Sequence, residues 1–293
     1  MRSFVAGFVL IATTVSASAQ APDRDEACRR LAQSVPASIT VAKAVAVGAD
    51  GCAFEGVEMA LNPRMQVAIG RLTVQKLDPA GGELKAVPLA LRLEARSLSF
   101  GPRSGDRLIN YVTRFAARPM DAVLDYTYDP ASATLRLSEV GLDGKTVGHV
   151  RLSAEFVRLD PAGVASPSPS LIEQAAVKSL RLRLDNDGFV EGFIAIPLAS
   201  ALLQGAADPA AQAAALKEQV QAALPVLFSN AEPATLAALR DFLAAFPHPD
   251  KPFELTIALP APLGASDLLP VLNEPAQIAK LLPPGSIKAR YGD

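Results

Sequence analysis

Few residues of this chain have the chemistry expected of a catalytic or metal site. Its 293 residues include two histidines, two cysteines and no tryptophan. His149 alternates with apolar neighbours in a stretch typical of a strand, and His248 stands between two prolines. Two histidines so far apart in sequence do not form a His-rich metal site, and a sugar site would normally use aromatic platforms. The residue types therefore argue against metal and sugar chemistry.

Three short fragments resemble parts of known motifs. Gly144-Lys145-Thr146 resembles the end of a phosphate-binding loop, but Glu139 stands where the motif requires glycine. Asp185-Asn186-Asp187-Gly188 resembles the start of a calcium loop, but its twelfth position is Ile196 instead of Glu. Gly101-Pro102-Arg103-Ser104-Gly105 lacks the spacing of a serine-hydrolase elbow. We interpret all three as turns or loops, and predict no catalytic residue, no metal ligand, no cofactor and no enzymatic activity.

The two cysteines, Cys28 and Cys52, are predicted to form a disulfide. Cys28 lies in a charged segment that has the pattern of a short helix, and Cys52 follows a Gly-Ala-Asp-Gly turn. An even number of cysteines in an exported protein is typical of a disulfide framework. The pair would join an N-terminal helix to a hairpin and contribute about 3 kcal/mol by the chain-entropy argument. Free thiols are the alternative.

The first nineteen residues have the three parts of a secretory signal peptide. Arg2 precedes a short apolar run, and Ala17-Ser18-Ala19 has the small residues of a cleavage site. An uncleaved membrane anchor is the alternative, but the apolar part is short for the ~20 residues that span a bilayer. The later uncharged stretch 192–207 is interrupted by Pro197. We therefore predict a soluble periplasmic protein without a transmembrane span after cleavage.

Composition and charge exclude other classes of protein. Half of the residues are hydrophobic, which is ample for a core and unlike a disordered chain. The net charge of −2 gives no general attraction to nucleic acid. The first half is nearly neutral and the second half mildly acidic, so nucleic-acid binding is not expected.

Alternation of apolar and polar residues dominates positions 39–160 and predicts antiparallel strands with one dry and one wet face. One helix is predicted over residues 106–118, covering part of the sheet.

The fragments that begin at Lys76 and Arg158 are nearly identical, which suggests an internal duplication or a recurrent Asp-Pro turn. We predict a signal peptide at 1–19, a β-rich half at 20–165 and an α+β half at 166–293, the two halves forming two domains or one.

The second half begins after a Ser/Pro-rich linker at 164–170. A hairpin is predicted from strands 178–185 and 189–196 around Asn186-Asp187-Gly188. Arg181 and Arg183 lie opposite its leucines; a solvated strand face is the simplest interpretation, and an anionic ligand is the alternative.

Helices are predicted after the caps Asp208 and Asn230, the second with Leu236, Leu239, Leu243 and Phe246 on one face. Strands at 253–259 and 287–290 and helices at 266–272 and 275–282 complete the chain. The predicted fold is α+β, a curved antiparallel meander with helices packed on it and concentrated in the C-terminal half.

The tail carries a family resemblance. Residues 246–263, a loop and a strand that ends in Pro260-Ala261-Pro262, followed by Leu268-Leu269 and Glu274-Pro275, resemble the tails of uncharacterised exported proteins of proteobacteria. The hairpin-rich first half is similar in style to the β-rich modules of AsmA-like envelope proteins. The resemblance implies an envelope location and supplies no catalytic residues.

These observations lead to two functional hypotheses. The first is a non-catalytic envelope protein with a structural or accessory role, which acts through contacts with another envelope protein. The second is a periplasmic carrier of a lipid or other apolar ligand, held between sheet and helices. The aliphatic-rich, aromatic-poor composition suits a chain-shaped ligand, but a plain hydrophobic core explains it equally well.

Overall fold

The computed structural model describes residues 24–33, 35–62, 65–76, 88–102, 118–159, 175–264, 267 and 281–292. The predicted signal peptide, the linker at 164–170 and the boundary between residues 165 and 166 lie outside the described residues, and so does the predicted helix at 106–118 apart from its last residue. The predicted helices at 266–272 and 275–282 lie almost wholly outside them as well.

Ten strands follow one another in the sheet in chain order. Helix α1 (Arg24–Gln33) precedes β1 (Ile39–Val47), β2 (Gly51–Asn62), β3 (Met65–Gln75), β4 (Ala90–Pro102), β5 (Met120–Asp129) and β6 (Thr134–Gly144). Then come β7 (Gly148–Val157), β8 (Ala176–Asn186), a π-helical segment (Val190–Ala195), α2 (Ile196–Leu202), α3 (Pro209–Leu227), α4 (Pro233–Ala245), β9 (Phe253–Gly264) and β10 (Ile287–Tyr291). The predicted fold class, an α+β antiparallel meander with its helices mainly in the C-terminal half, is confirmed.

The chain divides into two compact units. Unit 1 contains α1, β1 to β5 and residues 138–144 of β6. Unit 2 contains residues 132–137, β7 to β10 and the helices of the C-terminal half. Each unit is described below by itself.

The core of unit 1 lies between α1 and one face of β1 to β4. Cys28, Phe54, Val67, Ile69 and Leu72 are buried there, with Leu31 of α1 and Leu93 of β4 packed against them. The helix also covers the edge strand, because the Asp25 carboxylate accepts a hydrogen bond from the Ala46 N–H at 2.7 Å. An edge N–H of β1 is thereby satisfied, which limits pairing with other chains.

A row of small residues crosses four strands of unit 1. Ala42, Gly56, Gly70 and Ser97 are aligned between the paired residues that flank them. Gly56 and Ser97 have φ of 60° and 56°. A Cβ on Gly56 would lie 3.0 Å from the Ala42 Cβ, and one on Gly70 would lie 3.1 Å from the Ser97 Cβ. We call this row the crease.

The crease shifts the hydrophobic alternation on every strand that it crosses. Residues packed in the core are three apart across it instead of two: Val41 and Ala44, Phe54 and Val57, Ile69 and Leu72, and Ala95 and Leu98. A left-handed residue re-aims the side chains that follow it, and glycine adopts that conformation without steric cost. The crease stops at β5, where the register shifts and the Asp121 carboxylate accepts a hydrogen bond from the Ser97 N–H at 2.9 Å.

In unit 2, helix α4 packs against the edge strand β10. Thr235 and Ala238 are buried, and the Thr235 hydroxyl accepts a hydrogen bond from the Ala289 N–H at 3.3 Å. Phe242 stacks on Phe253 with ring centroids 4.2 Å apart. The most buried side of α4 is therefore offset from the predicted face of Leu236, Leu239, Leu243 and Phe246, which are only partly buried.

Two local predictions in unit 2 have clear outcomes. The cap at Asp208 is confirmed, because its carboxylate accepts a hydrogen bond from the Ala211 N–H at 3.0 Å and Pro209 opens α3. The cap at Asn230 is wrong. Helix α4 begins after Glu232 without a side-chain cap, and the Asn230 amide donates to the Leu282 carbonyl oxygen instead.

The predicted return strand at 189–196 is also wrong, because this segment is helical. Strand β8 already pairs with β7 on one side and β9 on the other, so no edge is free for a hairpin partner. The Asn186 side-chain oxygen accepts a hydrogen bond from the Val190 N–H at 2.8 Å, which caps the first helical turn. Phe189 and Phe193, four residues apart, stack with centroids at 5.2 Å.

Candidate functional site

The predicted disulfide is present. Cys28 of α1 and Cys52 of β2 are bonded, with their Cα atoms 5.6 Å apart. The bond fixes α1 against the first hairpin of unit 1, and Cys28 belongs to the buried core. Its place in the fold is that of a structural cross-link.

The motif-like fragments lie in turns or at the end of a strand. Gly144-Lys145-Thr146 occupies the end of β6 and the connection to β7. Asp185 accepts a hydrogen bond from Arg183 at 3.4 Å, and the Asn186 oxygen accepts backbone N–H groups. Within the described ranges no group of three or more His, Cys, Asp or Glu residues has metal-binding geometry. The fragment 101–105 extends beyond the described residues after Pro102.

One polar cluster of unit 2 brings together residues that are distant in sequence. His248 Nδ1 lies 2.7 Å from Glu191 Oε1. The Asn186 amide donates to both Glu191 oxygens and, at 3.2 Å, to the Pro249 carbonyl oxygen. The cluster therefore joins the end of β8, the start of the following helix and the loop before β9.

Glu191 is the charged centre of this cluster. Partial burial alone would raise the pKa of the Glu191 carboxyl, but hydrogen bonds from His248 and Asn186 outweigh burial and lower it below its ordinary value. Glu191 is therefore a carboxylate at neutral pH. The His248 side chain is 75% exposed, so its contact with Glu191 is a surface contact that positions a loop. Among the described residues, no serine, threonine or cysteine side chain is hydrogen-bonded to His248 or Glu191.

Beyond this cluster runs a helix of unusual composition. Residues 190–202, the π-helical segment and α2, have no charged side chain after Glu191. Five of the ten exposed large hydrophobic side chains in the described part of the chain belong to it, namely Phe193, Ile194, Ile196, Leu198 and Leu202. We call residues 190–202 the apolar helix.

The apolar helix presents a regular stripe to solvent. Ile194, Leu198 and Leu202 are four residues apart and 41%, 46% and 50% exposed. Residues spaced by four lie on one helix face, and an exposed apolar stripe marks an interaction site more often than a chance surface. Sequence reasoning missed the stripe, because it interpreted the first part of this segment as a strand.

Comparison with known proteins identifies the family of this chain. A family model described as "Uncharacterized protein" matches residues 141–289, about half of the chain, and the chain belongs to this family. A search of curated proteins finds no match. The matched region includes the polar cluster and the apolar helix. In the part of the chain that the structure describes, no helix is long and apolar enough to cross a bilayer.

Proposed function

We propose that this member of the family is an exported accessory protein of the cell envelope, without catalytic activity, that binds another protein through its apolar helix. The observation that carries the proposal is the exposed stripe of Ile194, Leu198 and Leu202. A helix that is apolar on all sides normally lies inside a protein or a membrane. Exposure of its large side chains from Phe193 to Leu202 suits a helix that docks into an apolar groove of a partner.

The neighbouring contacts support this role. Asn186 caps the helix start, and its amide also contacts Glu191 and the loop at Pro249. The helix is therefore held at one end by polar contacts while its large side chains remain accessible. A helix ordered before binding loses less conformational entropy when it docks.

Export is proposed from the N-terminal sequence and the cysteine pair. The Arg2 start, the apolar run and the Ala17-Ser18-Ala19 exit are typical of a signal peptide. The Cys28–Cys52 bond fits an oxidising compartment. Sequencing the N-terminus of the protein isolated from its own periplasm should give Gln20 as the first residue, whereas an N-terminus at residue 1 on membrane-bound protein would contradict export by cleavage.

The binding role is tested by the triple variant Ile194→Gln, Leu198→Gln, Leu202→Gln. Native electrophoresis of the periplasmic fraction should show a partner complex for the unaltered chain and none for the triple variant, while the melting temperature stays unchanged because these side chains are exposed. The control is Val220→Gln, Val226→Gln, which changes two exposed apolar residues of α3. A large drop in melting temperature of the triple variant would show that the stripe packs on its own chain and would contradict the proposal.

The carrier of an apolar ligand is the second candidate, and one observation favours it. Leu152, Leu182 and Leu255 lie in register on the dry face of β7 to β9 and are only partly buried. However, a cavity in unit 1 lined by Phe54, Met59 and Leu72 has a volume of about 10 Å³, against the ~300 Å³ or more of ligand pockets. Native mass spectrometry after purification from the periplasm tests this candidate: a co-purifying lipid supports it, and its absence contradicts it.

A further inference from the structure

The wet face of unit 2 has a charge pattern that the binding role above does not use. Strands β7 to β10 pair regularly on the turn side of the register shifts at Glu155/Phe156 and Val177/Ser179, which places eight side chains of this face in two adjacent rows. The first row is Arg151, Arg183, Glu254 and Arg290, and the second is Ser153, Arg181, Thr256 and Lys288. We call these eight residues the basic face.

The basic face holds five cations, one carboxylate and two hydroxyls. Arg183 is compensated, with carboxylate oxygens of Glu254 at 3.6 Å and Asp185 at 3.4 Å. Arg181, Lys288 and Arg290 are exposed and make no ion pair with any residue that the structure describes. Three cations thus remain available on one surface.

This excess is local. The whole chain has a net charge of −2, so general attraction to anions is not expected. Strands are about 4.8 Å apart, so four strands spread the cations over roughly 14 Å. A guanidinium presents a planar fork of donors that matches the oxygens of a phosphate.

We propose that the basic face binds the phosphate groups of an anionic phospholipid membrane surface. Arg181, Lys288 and Arg290 are all exposed on this one face, so they can contact several headgroups at once. None of its eight side chains is aromatic, and proteins that hold single-stranded nucleic acid usually stack bases on aromatic rings. The inference concerns a surface separate from the apolar helix and does not depend on the partner protein.

Vesicle co-sedimentation of the purified full chain tests the proposal. Phosphatidylcholine vesicles are compared with vesicles that also contain phosphatidylglycerol. The apolar helix and the N-terminal apolar run could bind a vesicle without anionic lipid. The phosphatidylcholine vesicles measure that contribution. Binding should depend on phosphatidylglycerol and weaken as salt rises.

Two variants of equal charge separate the basic face from general electrostatics. Arg181→Gln, Lys288→Gln, Arg290→Gln should weaken binding on the order of a hundredfold, since each cation near an anionic surface contributes about fivefold. The control Lys43→Gln, Arg71→Gln, Arg96→Gln removes three cations from the wet face of unit 1 and should change binding less than about threefold. Melting curves check folding, and the double variant Lys288→Gln, Arg290→Gln on the edge strand should give an intermediate loss.

Three results would overturn the assignment. The first is sedimentation that does not depend on phosphatidylglycerol, and the second is an equal loss in both triple variants. The third is equal affinity for duplex DNA at the same phosphate concentration, which would indicate a general polyanion surface instead of a membrane surface.

Discussion

The two units differ in how their charged and apolar side chains are used. On the wet face of unit 1 a buried charge is held by ion pairs: Asp125 bonds to Lys76 at 2.7 Å and to Arg92 at 3.0 Å. Unit 1 also has the disulfide and the crease. Unit 2 has neither, and it presents an exposed apolar helix and, on its basic face, three cations that form no ion pair with the residues that the structure describes. The difference suggests that unit 1 provides rigidity and unit 2 provides the binding surfaces.

The largest loss of stability is expected when the disulfide of unit 1 is removed. The double variant Cys28→Ser, Cys52→Ser should lower the stability of unit 1 by about 3 kcal/mol, because a loop of this size is no longer closed in the unfolded chain. Hydrogen exchange measured by mass spectrometry should show faster exchange in β1 to β3 and unchanged exchange in β8 and β9. Equal acceleration in both units would show that they unfold together.

The crease is expected to have the next largest effect. Gly56→Ala should destabilise unit 1 by about 2 kcal/mol, because the added Cβ meets Ala42 and alanine is strained at this positive φ. Denaturant unfolding measures the change. Gly192→Ala is the control, since nothing lies within 4 Å of the added Cβ and alanine favours a helix. If the two variants behave alike, the crease has no special packing requirement.

The compensated charges of unit 1 should show a smaller effect that depends on pH. Burial would raise the pKa of Asp125, but hydrogen bonds from Lys76 and Arg92 lower it below its ordinary value. The resulting stabilisation is present above the unfolded pKa and is lost as the pH falls through the folded pKa. Asp125→Asn should therefore cost about 1 kcal/mol at neutral pH and less below about pH 4 in urea melts. Arg181→Gln in unit 2 should cost nothing, and a pH-independent loss for Asp125→Asn would contradict this explanation.

The smallest effect is expected at the polar cluster of unit 2. His248→Ala should change the free energy of unfolding by less than about 0.5 kcal/mol, since the imidazole is mostly exposed. Asn186→Ala should cost more, about 1 kcal/mol, because it removes the cap of the apolar helix. Thermal melts compare the two variants. The reverse order would make the His248–Glu191 contact the main support of this segment.

How much the sequence predicts differs between the units. In unit 1 the alternation of apolar and polar residues predicted the strands, because a half-buried sheet requires it. The even number of cysteines in a chain with a predicted signal peptide predicted the disulfide. The crease was missed, although the three-residue spacing from Phe54 to Val57 was visible. Its meaning emerges only when neighbouring strands are placed in register, since one such step resembles ordinary irregularity.

In unit 2 the wrong strand at 189–196 has a physical cause. A short apolar run after Asn186-Asp187-Gly188 fits a buried strand or a helix equally well, and periodicity alone does not separate them. The side-chain cap from Asn186 and the occupied edges of β8 decide for the helix. The sequence named Arg181 and Arg183, with an anionic ligand as the alternative to a solvated face. The rest of the basic face was out of reach, because Lys288 and Arg290 join them only through the pairing of distant strands.

Site-specific photo-crosslinking in living cells tests the central claim most directly. A photoreactive residue is placed at Leu198 of the apolar helix and, in a matched strain, at Lys43 on the wet face of unit 1. We expect one discrete protein adduct from position 198, which is lost when Ile194→Gln and Leu202→Gln are added, and none from position 43. Equal adducts from both positions, or no protein adduct from position 198, would contradict it.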